Sequence, residues 1–334
     1  MRAFRTLLLL GLVGLVALGG IALWAVQADS ADFAFVPQAA QPAIAVVSLE
    51  DAAAPPAGAG RVFFTTVGVR HATVWETWFG VDGGQLVPEH AVQPPGESDA
   101  DRARMDTLAM DDSQQTAEVV ALRALGYQVR VRPAGVIIAG IDRAAPIASS
   151  GAKLGDVILS TDGRRTLDIE GLRTAVRRVD PGAVVDLGLH RNGTMLTVAV
   201  KTIRSEESGD AILGILPAQA NAVDAARTVT YSVKGVGGPS AGLAFALQIY
   251  SAGRGYANLH GLKVAATGTL SMTGTVGPIG GVGEKAEGAR RAGATVFLVP
   301  SDNAAEARAA HVTGLRIVPV GNFADALRAL AVTA

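Results

Sequence analysis

The segment Gly235-Val236-Gly237-Gly238-Pro239-Ser240-Ala241-Gly242 lies between a predicted strand at 228–233 and a predicted helix at 240–251. Ser240 therefore stands at a helix N-terminus, where free N–H groups and the helix dipole stabilise negative charge. A serine nucleophile at this position would have donors for an oxyanion beside it. Serine is also a favoured N-cap residue, so the segment alone leaves a purely structural role open.

A second glycine-rich turn, Gly277-Pro278-Ile279-Gly280-Gly281-Val282-Gly283-Glu284-Lys285, opens another predicted helix near 284–292. Lys285 falls within the first turn of that helix, an unusual place for a cation because the helix dipole is positive there. Partial burial and the dipole both lower the pKa of a lysine, so its neutral amine can take the proton of a serine hydroxyl. The pair suggests a serine activated by a lysine, although an exposed, solvated lysine is the more common case.

Strands and helices alternate from Ala211 to Ala334, which indicates an α/β domain with a mixed sheet and flanking helices. The predicted strands are 212–216, 228–233, 263–267, 295–299 and 315–320, and the predicted helices are 240–251, 284–292, 303–310 and 323–330.

Three blocks of this domain resemble the proteolytic domain of the Lon family. They are Gly238-Pro239-Ser240-Ala241-Gly242, Thr267-Gly268, and Pro278-Ile279-Gly280-Gly281 followed by Glu284-Lys285. The resemblance implies a Ser-Lys dyad in which Ser240 is the nucleophile and Lys285 is the general base. It also implies that the Thr267 hydroxyl supports the lysine and that the backbone around Gly238, Pro239 and Ala241 forms the oxyanion hole.

Two features depart from the family pattern. Gly237 stands where many Lon enzymes have an acidic residue, and the phosphate-binding motif G-x-x-x-x-G-K-[ST] of an ATPase does not occur in the sequence. We therefore expect proteolysis that does not depend on ATP.

The segment from Gly126 to Ile203 has a different pattern, with short predicted strands and one predicted helix at 169–179. The strands are predicted at 135–141, 156–159, 184–189 and 195–200, and Asn192-Gly193 joins the last two as a hairpin signal. This order, with Gly135-Val136-Ile137-Ile138, Gly155-Asp156-Val157-Ile158 and Asp162-Gly163, resembles bacterial PDZ domains.

PDZ domains bind an extended peptide C-terminus at a sheet edge, with loop N–H groups holding its carboxylate. The resemblance implies Leu125-Gly126-Tyr127 as that loop, and Gly135, Val136 and Ile137 as the strand that receives the peptide. Gly126 is equally suited to capping the preceding helix.

The N-terminal region begins with an uncharged stretch at 6–26, about the length that crosses a bilayer as a helix. Arg2 and Arg5 precede it and Asp29 and Asp32 follow it, so the positive-inside bias places nearly all of the chain outside the cytoplasm. We expect an uncleaved single-pass anchor in the cell membrane. A cleaved signal peptide, which would leave a secreted protein, and a buried core helix are the alternatives.

The region between this stretch and the PDZ-like segment is predicted to be folded. The strand signal covers 61–69, a short helix is predicted at 73–79, and a long helix runs from an N-cap at Ser98 to about Leu125 after the break at Pro94-Pro95-Gly96.

Composition excludes several classes of protein. The 334 residues are 49% hydrophobic and 18% charged with a net charge of -1, which fits neither a disordered chain nor a nucleic-acid-binding surface. Cysteine is absent, which removes disulfides and thiolate metal sites. The five histidines, His71, His90, His190, His260 and His311, lack metal-ligand spacing, so no metal or cofactor is expected.

The sequence predicts four parts: an anchor at 1–28, a strand and helix region at 29–124 packing on the protease, a PDZ domain at 125–204 and a Lon-type domain at 205–334. This layout resembles membrane-anchored bacterial proteins that join a PDZ domain to a Lon-type domain without an ATPase. It implies an endopeptidase for protein or peptide substrates and a homo-oligomer, such as a hexamer. Two alternatives remain: a catalytically silent PDZ scaffold, and an α/β-hydrolase using Asp302 and His311.

Overall fold

The computed structural model describes residues 2–93 and 98–333, with side chains described from Leu10 to Val332. The predicted break at 94–96 lies outside the described residues. The α-helices are α1 (Arg2–Gln27), α2 (Val74–Phe79), α3 (Glu89–Val92), α4 (Asp99–Ala124), α5 (Ile169–Val176), α6 (Gly242–Gly253), α7 (Val282–Arg291), α8 (Ala304–Ala309) and α9 (Phe323–Thr333).

The strands form several sheets. They are β1 (Asp29–Pro37), β2 (Gln41–Pro42), β3 (Val47–Leu49), β4 (Arg61–Phe64), β5 (Val67–Thr73), β6 (Gln85–Val87), β7 (Val129–Ile141), β8 (Val157–Thr161), β9 (Arg164–Arg165), β10 (Val184–Arg191), β11 (Thr194–Lys201), β12 (Ile203–Arg204), β13 (Ala211–Ile212), β14 (Ile215–Ala225), β15 (Val229–Tyr231), β16 (Lys263–Ala266), β17 (Thr269–Leu270), β18 (Val276–Gly277), β19 (Val296–Pro300) and β20 (Arg316–Val320).

Helix α1 is one continuous apolar helix whose C-terminal end contacts α2 and β5. Its segment Leu10–Gln27 is long and apolar enough to cross a bilayer, and Ala25 is the one buried side chain in that segment. The exposure of the rest contradicts a buried core helix. The helix has the length and composition of a membrane span or of a signal sequence.

A small antiparallel sheet follows α1 directly, with strand order β5-β1-β6. The predicted strand at 61–69 is divided, because β4 and β5 belong to two different sheets and Thr65 and Thr66 lie between them. The same β-branched and aromatic residue types occur on both sides of this break, so composition gives no sign of it.

The middle of the chain folds as an antiparallel sheet with strand order β11-β10-β8-β7-β14 around its own hydrophobic core. Asn192 and Gly193 both have positive φ and connect β10 to β11, which confirms the predicted hairpin. Strand β14 pairs with β7 along its whole length, from Ile215 opposite Ile141 to Ala225 opposite Val129. The domain boundary at residue 205 stays a prediction. Because β14 belongs to the sheet of the middle domain, the pairing favours a boundary after residue 225.

The last part of the chain builds a sheet in the order β2-β4-β16-β19-β20, in which β4, β16, β19 and β20 are parallel. Strand β4 comes from the N-terminal region, and β3 pairs with β15. Helix α4 packs on α6 in the same core, and its N-cap is Ser98, as predicted. The α/β domain is therefore discontinuous, and the middle domain is inserted between α4 and β15.

Candidate active site

Ser240 lies in the loop that leads into α6, and α4 holds this loop in place. The N–H of Gly238 donates to the Asp106 carbonyl oxygen at 2.8 Å, and the Ser113 hydroxyl donates to the Pro239 carbonyl oxygen at 3.1 Å. Gly238 has a φ of +84°, a conformation that favours glycine. The loop thus depends on a helix more than a hundred residues earlier in the sequence.

Lys285 reaches Ser240 from the first turn of α7. Its Nζ donates to the Ser240 Oγ at 2.9 Å, and the residue is 4% exposed. Burial lowers the pKa of Lys285 from 10.5 to about 8, against the opposing effect of the Glu284 and Glu306 carboxylates. A substantial fraction of the amine is therefore neutral near pH 8, in contact with the hydroxyl that it could deprotonate.

Thr267 contacts the backbone of Ser240. The Thr267 hydroxyl donates to the Ser240 carbonyl oxygen at 3.2 Å, and the Gly268 N–H donates to the same oxygen at 2.9 Å. The hydroxyl is therefore directed to the serine carbonyl, whereas the resemblance directs it to Lys285. A direct role beside the lysine stays a prediction.

The residues predicted for an oxyanion hole, Gly238, Pro239 and Ala241, differ in whether they have a backbone N–H available. Pro239 has no N–H, and the N–H of Gly238 is already bonded to Asp106. The amides of Ser240 and Ala241 lie at the N-terminus of α6, where the first N–H groups have no partner within the helix. These two amides are the better candidates for an oxyanion hole.

Ser240 and Lys285 line a cleft of about 540 Å³. The cleft lies between the loop that holds Ser240, α4 and the small N-terminal sheet, and its lining includes Val36, Val67, Val69, Arg70, Asp106, Met110 and Val236. Sequence reasoning missed the residues from α4 and the small sheet. They carry no motif, and only the fold brings them beside Ser240.

The structure gives a reason for glycine at position 237. A Cβ atom added to Gly237 would lie 2.6 Å from the Cβ of Asp106, which is closer than real Cβ contacts allow. An acidic side chain at position 237, as in many Lon enzymes, would therefore displace α4. Asp106 lines the cleft instead.

The segment predicted to hold a peptide carboxylate, Leu125-Gly126-Tyr127, follows the end of α4. Gly126 has a φ of +90°, and its N–H donates to the Arg123 carbonyl oxygen, so it caps the C-terminus of α4. Leu125 and Tyr127 pack against the core of the α/β domain. The capping role is therefore observed, and the binding of a peptide carboxylate by this segment stays a prediction.

Gly135, Val136 and Ile137 lie inside the sheet of the middle domain. Val136 pairs with Ile158 of β8 on one side and with Gln219 of β14 on the other. Strand β7 therefore has no free edge there to receive a peptide, because β14 fills the position beside it.

The α/β-hydrolase alternative does not fit the serine's surroundings. Asp302 and His311 are both exposed, and Lys285 is the residue bonded to the Ser240 hydroxyl.

Comparison with known families finds two domains in the chain. Residues 123–202 match the family described as PDZ domain, and residues 232–332 match the family described as Lon protease (S16) C-terminal proteolytic domain. The chain combines a PDZ domain with a Lon-type proteolytic domain. Ser240 and Lys285 both lie within the Lon-type match.

Curated relatives resemble one or the other part. Lon protease 2 of Bacillus subtilis is 36% identical over 96 residues, which cover 28% of this chain and 16% of that protein. Lon protease 1 of the same organism is 47% identical over 66 residues, covering 20% and 8%. A probable periplasmic serine endoprotease DegP-like of Halomonas elongata is 39% identical over 69 residues, covering 21% and 15%. The chain thus spans less than a fifth of the length of each of these relatives.

Among solved structures, the PDZ domain of an SdrC-like protein from Listeria monocytogenes is 18% identical to this chain, with a TM-score of 0.24. The match covers 25% of this chain and 86% of that chain.

Proposed function

We propose that the protein is a serine endopeptidase that uses a Ser240–Lys285 dyad without ATP and is held by α1 in the cell membrane, with its site outside the cytoplasm. The observation that carries this proposal is the 2.9 Å bond between the Lys285 amine and the Ser240 hydroxyl, together with the burial that lowers the pKa of Lys285 to about 8. Ser-Lys catalysis requires a lysine amine that is shielded from water and lies next to the serine hydroxyl.

The chemistry follows from the positions of these groups. The neutral Lys285 amine takes the Ser240 proton as the Oγ attacks the scissile carbonyl carbon. The amides of Ser240 and Ala241 stabilise the oxyanion that forms. Lys285 then gives the proton to the departing amine, which leaves an acyl-serine. A water molecule, deprotonated by the same lysine, hydrolyses this ester and restores both side chains.

The PDZ domain is proposed to take up C-termini or extended segments of protein substrates by adding them to a free sheet edge. The sheet has β11 and β14 at its two ends, whereas β7 is internal. We favour β14, because the chain runs from it through β15 into the loop that holds Ser240. Peptide binding to the Ser240→Ala protein, followed by amide hydrogen exchange, should protect β14. Protection of β11 alone would reject this assignment.

Cleavage of unfolded casein without ATP, read by mass spectrometry, tests the enzymatic proposal. We expect Ser240→Ala and Lys285→Met to abolish the fragments made by the unaltered protein. The matched controls are Ser301→Ala and Lys263→Met, which change exposed residues of the same domain and should leave cleavage intact. Equal cleavage by all of these proteins would reject the dyad. An inert protein that still binds C-terminal peptides would support the catalytically silent PDZ scaffold.

A homo-oligomer, such as a hexamer, is part of the proposal, and it rests on the resemblance to Lon-type domains alone. Mass photometry of the detergent-solubilised protein tests it, and a monomer at all concentrations would reject it.

A further inference from the structure

All three tryptophans of this chain lie on two helices that contact each other, α1 and α2. The sequence contains three, at positions 24, 75 and 78. Trp24 is in the last turns of the apolar helix α1, and Trp75 and Trp78 are both in the short helix α2. These residues together with Phe79 are called the tryptophan cluster below.

Backbone contacts fix α2 against the end of α1. The N–H of Val74, the first residue of α2, donates to the carbonyl oxygen of Ala28 at 2.9 Å, and Asp29 pairs with Thr73. Helix α2 is also capped at its start, because the Thr73 hydroxyl and the Glu76 carboxylate each accept from the other residue's backbone N–H. The cluster is therefore held on ordered backbone beside the last turn of α1.

The cluster faces outward. Trp24, Trp78 and Phe79 are 58%, 56% and 67% exposed, and no residue of α2 is buried. The Trp75 and Phe79 rings lie with centroids 4.2 Å apart, so they form one aromatic surface. An exposed patch of this kind on an otherwise well-packed protein indicates an interaction site.

We propose that the tryptophan cluster is a membrane-interface contact, seated among the lipid headgroups where α1 leaves the bilayer. The occupant is assigned from continuity, because the cluster extends the exposed apolar surface of α1, which has the length of a bilayer span. Tryptophan is enriched at this depth because its ring combines an apolar body with a polar N–H. The inference rests on the proposed membrane anchor.

This contact would fix the distance between the active site and the bilayer surface. Strand β1 starts at Asp29 beside the cluster, and Val36 near its other end lines the catalytic cleft. Seven residue steps of a strand span roughly 23 Å. The contact therefore makes chain segments within a few nanometres of the bilayer, such as tails of membrane proteins, the favoured substrates.

Fluorescence quenching tests the contact directly. The full chain carrying Trp24→Phe and Trp75→Phe keeps Trp78 as its one tryptophan, and it is reconstituted into phosphatidylcholine vesicles with bromine near the top of the acyl chains. We expect at least half of the Trp78 emission to be lost relative to unbrominated lipid. Unquenched emission at a water-exposed wavelength would overturn the inference.

A companion protein carrying Trp75→Phe and Trp78→Phe separates this contact from the anchor, because Trp24 then reports on α1 itself. Quenched Trp24 with unquenched Trp78 would overturn the contact and leave the anchor standing. Both residues unquenched would overturn the anchor and the contact together. Neither readout depends on proteolysis, so a failure of the enzymatic proposal remains distinguishable.

A second experiment tests the consequence for substrates. In Trp78→Gln/Phe79→Gln protein we expect unchanged cleavage of soluble casein but at least fivefold slower cleavage of a peptide tethered to the vesicle by a short lipid anchor. Equal slowing of both substrates, or of neither, would reject the effect on substrate choice.

Discussion

At the scale of single residues, the buried amine of Lys285 sets the expected pH dependence. Burial lowers its pKa to about 8, and only the neutral form can accept the Ser240 proton. The neutral fraction, and with it kcat/KM for a fluorogenic peptide, should rise roughly tenfold between pH 7 and pH 9 and then level off. Lys263→Met serves as the control, with the same profile expected. A flat profile, or a rise centred on the ordinary lysine pKa, would contradict the proposed base.

The same residue should weaken the fold at neutral pH. The pKa of Lys285 falls from 10.5 in the unfolded chain to about 8 in the folded one. The unfolded state therefore binds more protons between these values, and stability rises with pH across that window. Below pH 8 the buried amine is charged, and it lowers the free energy of unfolding by about 3 kcal/mol. We expect Lys285→Met to raise the free energy of unfolding by up to about that amount at pH 7, in urea titrations, and by much less above pH 10. A loss of stability at pH 7 would refute this assignment.

Gly237 gives a third prediction for a single residue. Because a Cβ there collides with Asp106, Gly237→Asp should lower activity at least tenfold, although it restores an acid that many Lon enzymes have. The double variant Gly237→Ala/Asp106→Gly removes the colliding Asp106 side chain and should recover part of the activity lost in Gly237→Ala. Casein cleavage rates measure the loss and the recovery of activity. Equal rates for Gly237→Ala and for the double variant would contradict the steric explanation.

At the scale of elements, α4 connects the PDZ domain to the catalytic loop. Arg104 donates to the Leu154 carbonyl oxygen of the PDZ domain at 3.1 Å. Asp106, two residues later, and Ser113, nine residues later, contact the loop around Ser240. A peptide that shifts the PDZ domain therefore has a physical route to the active site through one helix.

Ser113→Ala tests the loop end of this connection. It leaves the Pro239 carbonyl oxygen without its partner, and the expected cost is about 1–2 kcal/mol of stability together with a lower kcat. Thr107→Ala on the same helix is the matched control, since the Thr107 hydroxyl donates within α4, to the Ala103 carbonyl oxygen. Equal effects of the two variants on kcat would argue against a role for α4 in positioning the loop.

The elements also show what sequence can predict. Two short motifs place Ser240 and Lys285 each at a defined point of a local turn and helix, and the resemblance to the Lon family is what pairs them; the structure has them 2.9 Å apart. The pairing of β4 with β16 could not be predicted, because a single sequence carries no signal that links two strands 200 residues apart. The long pairing of β14 with β7 was missed for the same reason, and with it the absence of a free edge at Gly135–Ile137.

At the scale of the whole molecule, the discontinuous α/β domain determines which pieces of the chain can fold. Residues 205–334 lack β4 and α4, which supply Val62, Phe64, Met110, Val120 and Leu122 to the core around α6. Each such side chain contributes roughly 1.5–3 kcal/mol by burial, so their loss removes about as much free energy as keeps a typical domain folded. We therefore expect residues 205–334 alone to be unfolded by near-ultraviolet circular dichroism, whereas residues 29–334 should unfold cooperatively in urea. A cooperative transition in the shorter piece would show that the Lon-type domain is independent of the N-terminal region and would restore a boundary near residue 205.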